Sequence, residues 1–185
     1  MPGNRSLNVT VNFTGTQAND GSYGGTVTYT QNQSSPTMAG LVDVNGNIDL
    51  DKMPGNSSYN WAIGMNFTLN AVVTDRNGNN VACTWANNLA QACAITGPGG
   101  GAANGMTVSM ADSTHLSVAN ANNDSSKSKA NRTYTYKLGV MLPGVNNYFI
   151  SLDPTITNTG GKVMDEDDQG GDNKGDDDEV GDDQD

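Results

Sequence analysis

An all-β fold, a single antiparallel β-sandwich of immunoglobulin-like or Greek-key type, is what this sequence predicts, and three observations predict it. Seven apolar side chains alternate without a break, Trp61, Ile63, Met65, Phe67, Leu69, Ala71 and Val73, with mostly small or polar residues between them. That period of two belongs to a pleated strand with one buried face and one wet face. The same rhythm recurs along the chain in about eight or nine short segments. Strong helix formers are also scarce: Glu166 and Glu179 both lie near the C-terminus, so the body has no Glu and little Lys, Arg or Leu. Thr, Val, Tyr, Asn and Gly take their place and favour strands and turns.

Taken in order, Leu7, Val9, Val11 and Phe13 alternate with Asn8, Thr10 and Asn12, and Tyr23, Val27 and Tyr29 with Thr26, Thr28 and Thr30. The long strand around Phe67 follows. Val81, Cys83 and Trp85 come after a turn-like stretch at 75–80, then Met106, Val108 and Met110, then Leu116 and Val118. Tyr134, Tyr136, Leu138, Val140 and Leu142 form another long strand, and Tyr148, Ile150, Leu152 and Ile156 the last. Asn45-Gly46, Asn77-Gly78, Pro143-Gly144 and the run from Gly97 to Gly101 mark turns between them. Strands of this kind hide their apolar sides by packing two sheets together, and a closed barrel is the second solution. Residues 120–131 are polar, with Lys127 and Lys129, and read as a mobile loop.

Charge divides the chain. The whole carries −11, and residues 162–185 hold twelve acidic and two basic residues, so the body is nearly neutral. A domain over 5–160 and a disordered Asp/Gly-rich acidic tail over 161–185 are expected, because dense like charge without apolar periodicity cannot offset the entropy of ordering. The tail reads as solubilising, or as a dock for a basic partner. Its glycines do not recur at the spacing of calcium-binding nonapeptide repeats. With no basic stripe on the body, nucleic acid is excluded as a partner, and no stretch is apolar for the length a membrane-spanning helix needs. The polar start of the chain shows no signal peptide, so export requires a leader already removed or a route without one.

Two cysteines, Cys83 and Cys93, favour a disulfide in a chain of secreted or cell-surface composition; the alternative is two buried thiols. The strongest candidate site is Asp43, Asn45, Asn47, Asp49 and Asp51. If residues 45–47 form a three-residue hairpin loop, Val44 pairs with Ile48, Val42 with Leu50, and Asp43 stands across from Asp49. Calcium would relieve that repulsion, and an ordinary solvated hairpin is the competing reading. The loop does not fit an EF-hand, because Gly46 stands two residues too early.

Outward Asn and Thr rows create eight Asn-x-Ser/Thr triplets, among them those at Asn8, Asn12, Asn66 and Asn131. Such rows would suit carbohydrate or ice, or simply water. Trp61 and Trp85 stand on apolar faces, where core packing competes with stacking on sugars. Catalytic chemistry is poorly supplied: His115 is the only histidine, no nucleophile motif accompanies it, and the body's aspartates are scattered. No enzyme is predicted. A lysine-asparagine isopeptide would require Lys52 or Lys137 beside Asn158, with an acid such as Asp153.

The segment Thr133-Tyr134-Thr135-Tyr136-Lys137-Leu138, followed by Ile150-Ser151-Leu152-Asp153-Pro154-Thr155-Ile156-Thr157-Asn158, resembles the final strands of the bacterial DP-EP family, named for its Asp-Pro and Glu-Pro dipeptides. The chain has Asp153-Pro154 and no Glu-Pro. The resemblance implies an all-β fold without an assigned activity. Pro154, lacking an amide hydrogen, must sit at an edge or bulge. The expectation for function is a non-enzymatic bacterial secreted or surface module with a binding or structural role, with a protein or glycan partner and calcium as a candidate ion. The alternative is an intracellular bacterial or phage protein whose tail confers solubility or recruits a basic partner.

Overall fold

A computed structural model describes residues 3–53, 59–122 and 128–159. The expected disordered tail at 161–185, the side chain of Trp61 and Lys127 lie outside the described residues. The protein is all-β. Among the described residues twelve strands form two six-stranded sheets.

The first sheet contains β1 (Gly3–Gln17), β2 (Tyr23–Ser35), β4 (Tyr59–Thr74), β5 (Asn80–Ala82), β8 (Met106–Met110) and β9 (His115–Asn120), in the order β2-β1-β4-β9-β8. β4 is long enough to hold two neighbours on one edge, β9 along Ile63 to Thr68 and β5 along Val72 to Thr74. The second sheet contains β3 (Ile48–Asp49), β6 (Thr84–Trp85), β7 (Cys93–Thr96), β10 (Thr133–Leu142), β11 (Val145–Phe149) and β12 (Thr155–Thr157). β10 is its spine. β12 and β11 share one edge of it and β7 and β6 the other.

The sheets are mixed, not purely antiparallel. β1 and β4 run parallel with Asn8 beside Asn66 and Asn12 beside Asn70, and β12 runs parallel to β3. The cause is the route of the chain: after β2 it lays β3 into the second sheet, then re-enters the first on the far side of β1. Parallel neighbours need such a crossover, which a hairpin cannot supply.

Most of the predicted inward residues face inward; Leu152 does not, being 96% exposed, because the single last strand expected over Tyr148 to Ile156 is broken between β11 and β12. Leu7, Val9, Val11 and Phe13 of β1, Ile63, Met65, Phe67 and Val73 of β4, Leu116 and Val118 of β9, and Tyr136, Leu138 and Val140 of β10 belong to one buried cluster. Each such side chain contributes about 1.5–3 kcal/mol by leaving water. Rings stitch the two sheets together: Phe67 lies 5.9 Å from Tyr136 and Phe13 6.2 Å from Tyr148. A one-turn helix, α1 (Leu89–Ala92), packs so closely on β10 that a Cβ at Gly139 would lie 2.1 Å from the Gln91 carbonyl oxygen.

The predicted disulfide is absent: Cys83 and Cys93 are free and buried. Cys83 follows β5 and its amide donates to Ala71 of β4 (2.9 Å), whereas Cys93 opens β7 and pairs with Leu138 of β10. The two thiols therefore belong to different sheets. Burial pushes Cys83 up and Cys93 up to about 12, so both are held as neutral thiols.

Candidate functional site

The hairpin over 41–52 forms, in a register one residue different on each arm from the one expected. Val42 bridges Ile48, the Asp43 amide donates to Asn47 O (3.0 Å), and the Gly46 amide donates to Asp43 O (3.0 Å). Val44 is thereby moved to the turn and is 59% exposed. Two residues account for the shift. Gly46 adopts φ 90°, the left-handed bulge position of a three-residue loop. Asp43 closes the turn with its carboxylate: Oδ1 accepts from the amides of Asn45 and Asn47 (both 2.9 Å) and Oδ2 from Asn47 Nδ2 (2.8 Å).

The same device occurs again. Residues 43–47 read Asp-Val-Asn-Gly-Asn and residues 75–79 read Asp-Arg-Asn-Gly-Asn. In the second turn Asp75 Oδ1 accepts from the amides of Asn77 and Asn79 (both 2.8 Å), Oδ2 accepts from Asn79 Nδ2 (3.2 Å), and Gly78 has φ 83°. The Asp43 constellation is thus a turn motif with a twin, and that repeat was visible in the sequence. Partial burial raises Asp43, but hydrogen bonds from Asn47, Asn45 and Gly46 outweigh it and hold the carboxyl below its usual range.

The remaining candidate ligands face cations. Asp49 Oδ2 lies 3.2 Å from Lys129 Nζ, and Asp51 receives Arg132 at 3.2 Å. Arg132 is buried and also donates to the Asn158 carbonyl, tying the hairpin to the end of β12. Among the described residues no group of three His, Cys, Asp or Glu side chains is placed to hold a metal ion. The segment 120–131, expected as a mobile loop, is anchored where it begins: Asn120 Nδ2 donates to Asn158 Oδ1 (2.6 Å), Asn122 Nδ2 donates to Thr159 Oγ1 (2.8 Å), and these residues are buried, while 123–127 lie outside the described residues.

Beside the hairpin lies a cleft of about 580 Å³ whose walls include Asp49, Lys52, Lys129, Thr133 and Thr155. Its polar groups are already satisfied by one another. Lys52 donates to Gly40 O (2.8 Å), and Thr155 Oγ1 donates to Asn47 Oδ1 (3.1 Å).

A second surface is more regular. The outward residues of β2, β1, β4 and β9 form ranks of Asn, Thr and Ser joined by side-chain hydrogen bonds: Asn66 Nδ2 to Asn8 Oδ1 and Asn70 Nδ2 to Asn12 Oδ1 (both 2.9 Å), Ser117 Oγ to Asn66 Oδ1 (2.7 Å), and Asn32 Nδ2 to Thr10 Oγ1 (2.7 Å). Across all strands of this sheet the only Lys, Arg, Asp or Glu is Arg5, which is buried.

The remaining candidates are dispersed. His115 Nδ1 sits 2.9 Å from Asp112, in the turn between β8 and β9, where the same carboxylate also accepts from the Thr114 and His115 amides. These bonds, led by that from the Thr114 amide, hold Asp112 well below the usual carboxylate range. Lys137 pairs with Asp153 on the surface at 3.2 Å, while Asn158 is buried beside Asn120, so the isopeptide set does not assemble. Trp85 is core. Pro154 precedes β12 and offers its carbonyl to Tyr136 N (2.9 Å), as an irregular strand start requires. No protein-family model and no curated protein matches this chain.

Proposed function

We propose that this chain is a non-enzymatic module with a binding or structural role, of bacterial secreted or cell-surface type, and that the uncharged outer face of the first sheet is its working surface. The supporting observation is the set of cross-strand bonds linking Asn8 to Asn66 and Asn12 to Asn70, which fix amide groups at strand spacing before any ligand arrives. Neutral donors and acceptors about 4.8 Å apart suit a hydroxyl-rich polymer, because no charge has to be stripped of water on contact. A glycan is therefore the favoured ligand class. Glycan-array binding by the wild type, lost in Asn70→Lys with an unchanged melting temperature, is the expected result. A blank array for the wild type would remove the glycan and leave the structural role.

The free thiols favour a second reading, an intracellular bacterial or phage protein whose acidic tail confers solubility or recruits a basic partner. Localisation of the native protein in fractionated source cells separates the two.

A further inference from the structure

We infer that β8 is the contact edge for a second copy of this chain, which pairs with it antiparallel about a two-fold axis at Ser109 and continues the first sheet across both copies. The inference is independent of what the outer face binds. β8 ends the sheet, with β9 as its one partner among the described residues. The hydrogen bonds from Ala111 N to His115 O (2.9 Å) and from Ala121 N to Gly105 O (2.7 Å) fix which residues face inward along that ladder. Bonded pairs alternate, so Thr107 and Ser109 bond to β9, while Val108 and Met110 aim their amide and carbonyl groups outward.

The opposite edge of the sheet is treated differently. There the chain covers its own strand: Tyr29 N donates to Val44 O (3.1 Å), and Gln31 Oε1 accepts from the amides of Leu41 (2.8 Å) and Val42 (3.3 Å). Among the described residues no such bond reaches the outward backbone groups of Val108 and Met110, although α1 packs beside β8. Nor does Met-Thr-Val-Ser-Met carry the charge or proline that commonly blunts an exposed edge.

The edge is also self-complementary, as an interface between identical chains must be. Centring the pair on Ser109 sets Val108 against Met110 of the second copy in two hydrogen-bonded pairs, with four backbone bonds in all. Met106, Val108 and Met110 are half-buried at the margin of the core, and the pairing would cover their open side. The two Ser109 residues meet on the polar face, and no like charges stand opposite each other. With a net charge of −11 the copies repel at long range, so added salt tightens the pair instead of loosening it.

Sedimentation of the full chain should show a monomer–dimer equilibrium that shifts toward dimer as salt is raised. Ser109→Lys, an exposed position, should weaken it at least tenfold with the circular dichroism spectrum unchanged. Ser109 occupies a non-hydrogen-bonded pair, where facing Cα atoms approach to about 4.5 Å. Ser109→Cys should therefore cross-link two chains in oxidised glutathione, while Thr107→Cys, about 13 Å from its copy, should not. Monomer at every concentration, a dimer that Ser109→Lys leaves intact, or equal cross-linking at 107 would overturn the inference. If Ser109→Lys does not fold, the comparison of the two cysteine variants decides it.

Discussion

Asp75 accepts from the amides of Asn79 and Asn77 and from the Asn79 side chain, and the first of these bonds does most to keep its carboxyl below the ordinary value. The ionised form is thus bound more tightly by the folded turn than by the unfolded chain. The stability this contributes is complete above the unfolded value of about 3.9 and is lost as the pH falls through the lower folded value. Asp43 and Asp112 carry the same sign. Thermal melts should be flat from neutral pH down to about pH 4 and then decline, and Asp75→Asn should decline less steeply than the wild type. The same bonds occupy both oxygens of Asp43, so Asp43→Asn should leave any calcium-induced change in melting temperature as it is in the wild type, read by differential scanning calorimetry. The thiols make a further residue-scale prediction: an aromatic disulfide reagent should label neither Cys83 nor Cys93 until denaturant is added, and should then label both without a reductant. The cysteine pairing was not legible in the sequence, because a ten-residue spacing is compatible with contact or with separation into opposite sheets.

Among the elements, the two Asp-x-Asn-Gly-Asn turns differ in what surrounds them. A Cβ at Gly78 meets open space, whereas one at Gly46 would lie 2.7 Å from the Tyr29 ring. Gly78→Ala should therefore cost about 1–2 kcal/mol for the left-handed backbone alone. Gly46→Ala should cost about 1–3 kcal/mol more, since the ring must move within a packed core. Urea denaturation of both variants gives the difference directly. The Tyr136 hydroxyl donates to Gly46 O at 2.6 Å, and Tyr29 N donates to Val44 O, so this turn is fastened to both sheets and the other is not. Asn45-Gly46 announced a turn, but the expected register followed the apolarity of Val44. The Asp43 carboxylate, closing a three-residue loop over 44–46 instead of 45–47, outweighed the burial of one valine.

At the scale of the whole molecule, alternation is local and survives any strand order, which is why the inward residues of β1, β4 and β10 were legible while strand direction was not. β4 reads the same whether it runs with β1 or against it. The parallel pairing joins residues 58 positions apart, as between Asn8 and Asn66, and no side chain at either end records the partner. Such distant contacts delay folding, because the loop must close before any of them forms. Refolding by stopped-flow fluorescence of Trp85, which is buried, should fall in the millisecond-to-second range, and a microsecond phase carrying the full amplitude would contradict the topology. The first sheet's lack of exposed Lys, Arg, Asp and Glu has a kinetic corollary. A partner approaching that face is not guided by long-range attraction, so encounter should proceed at about 10⁵–10⁶ M⁻¹s⁻¹, and selectivity should come from slow departure once the amide ranks are engaged.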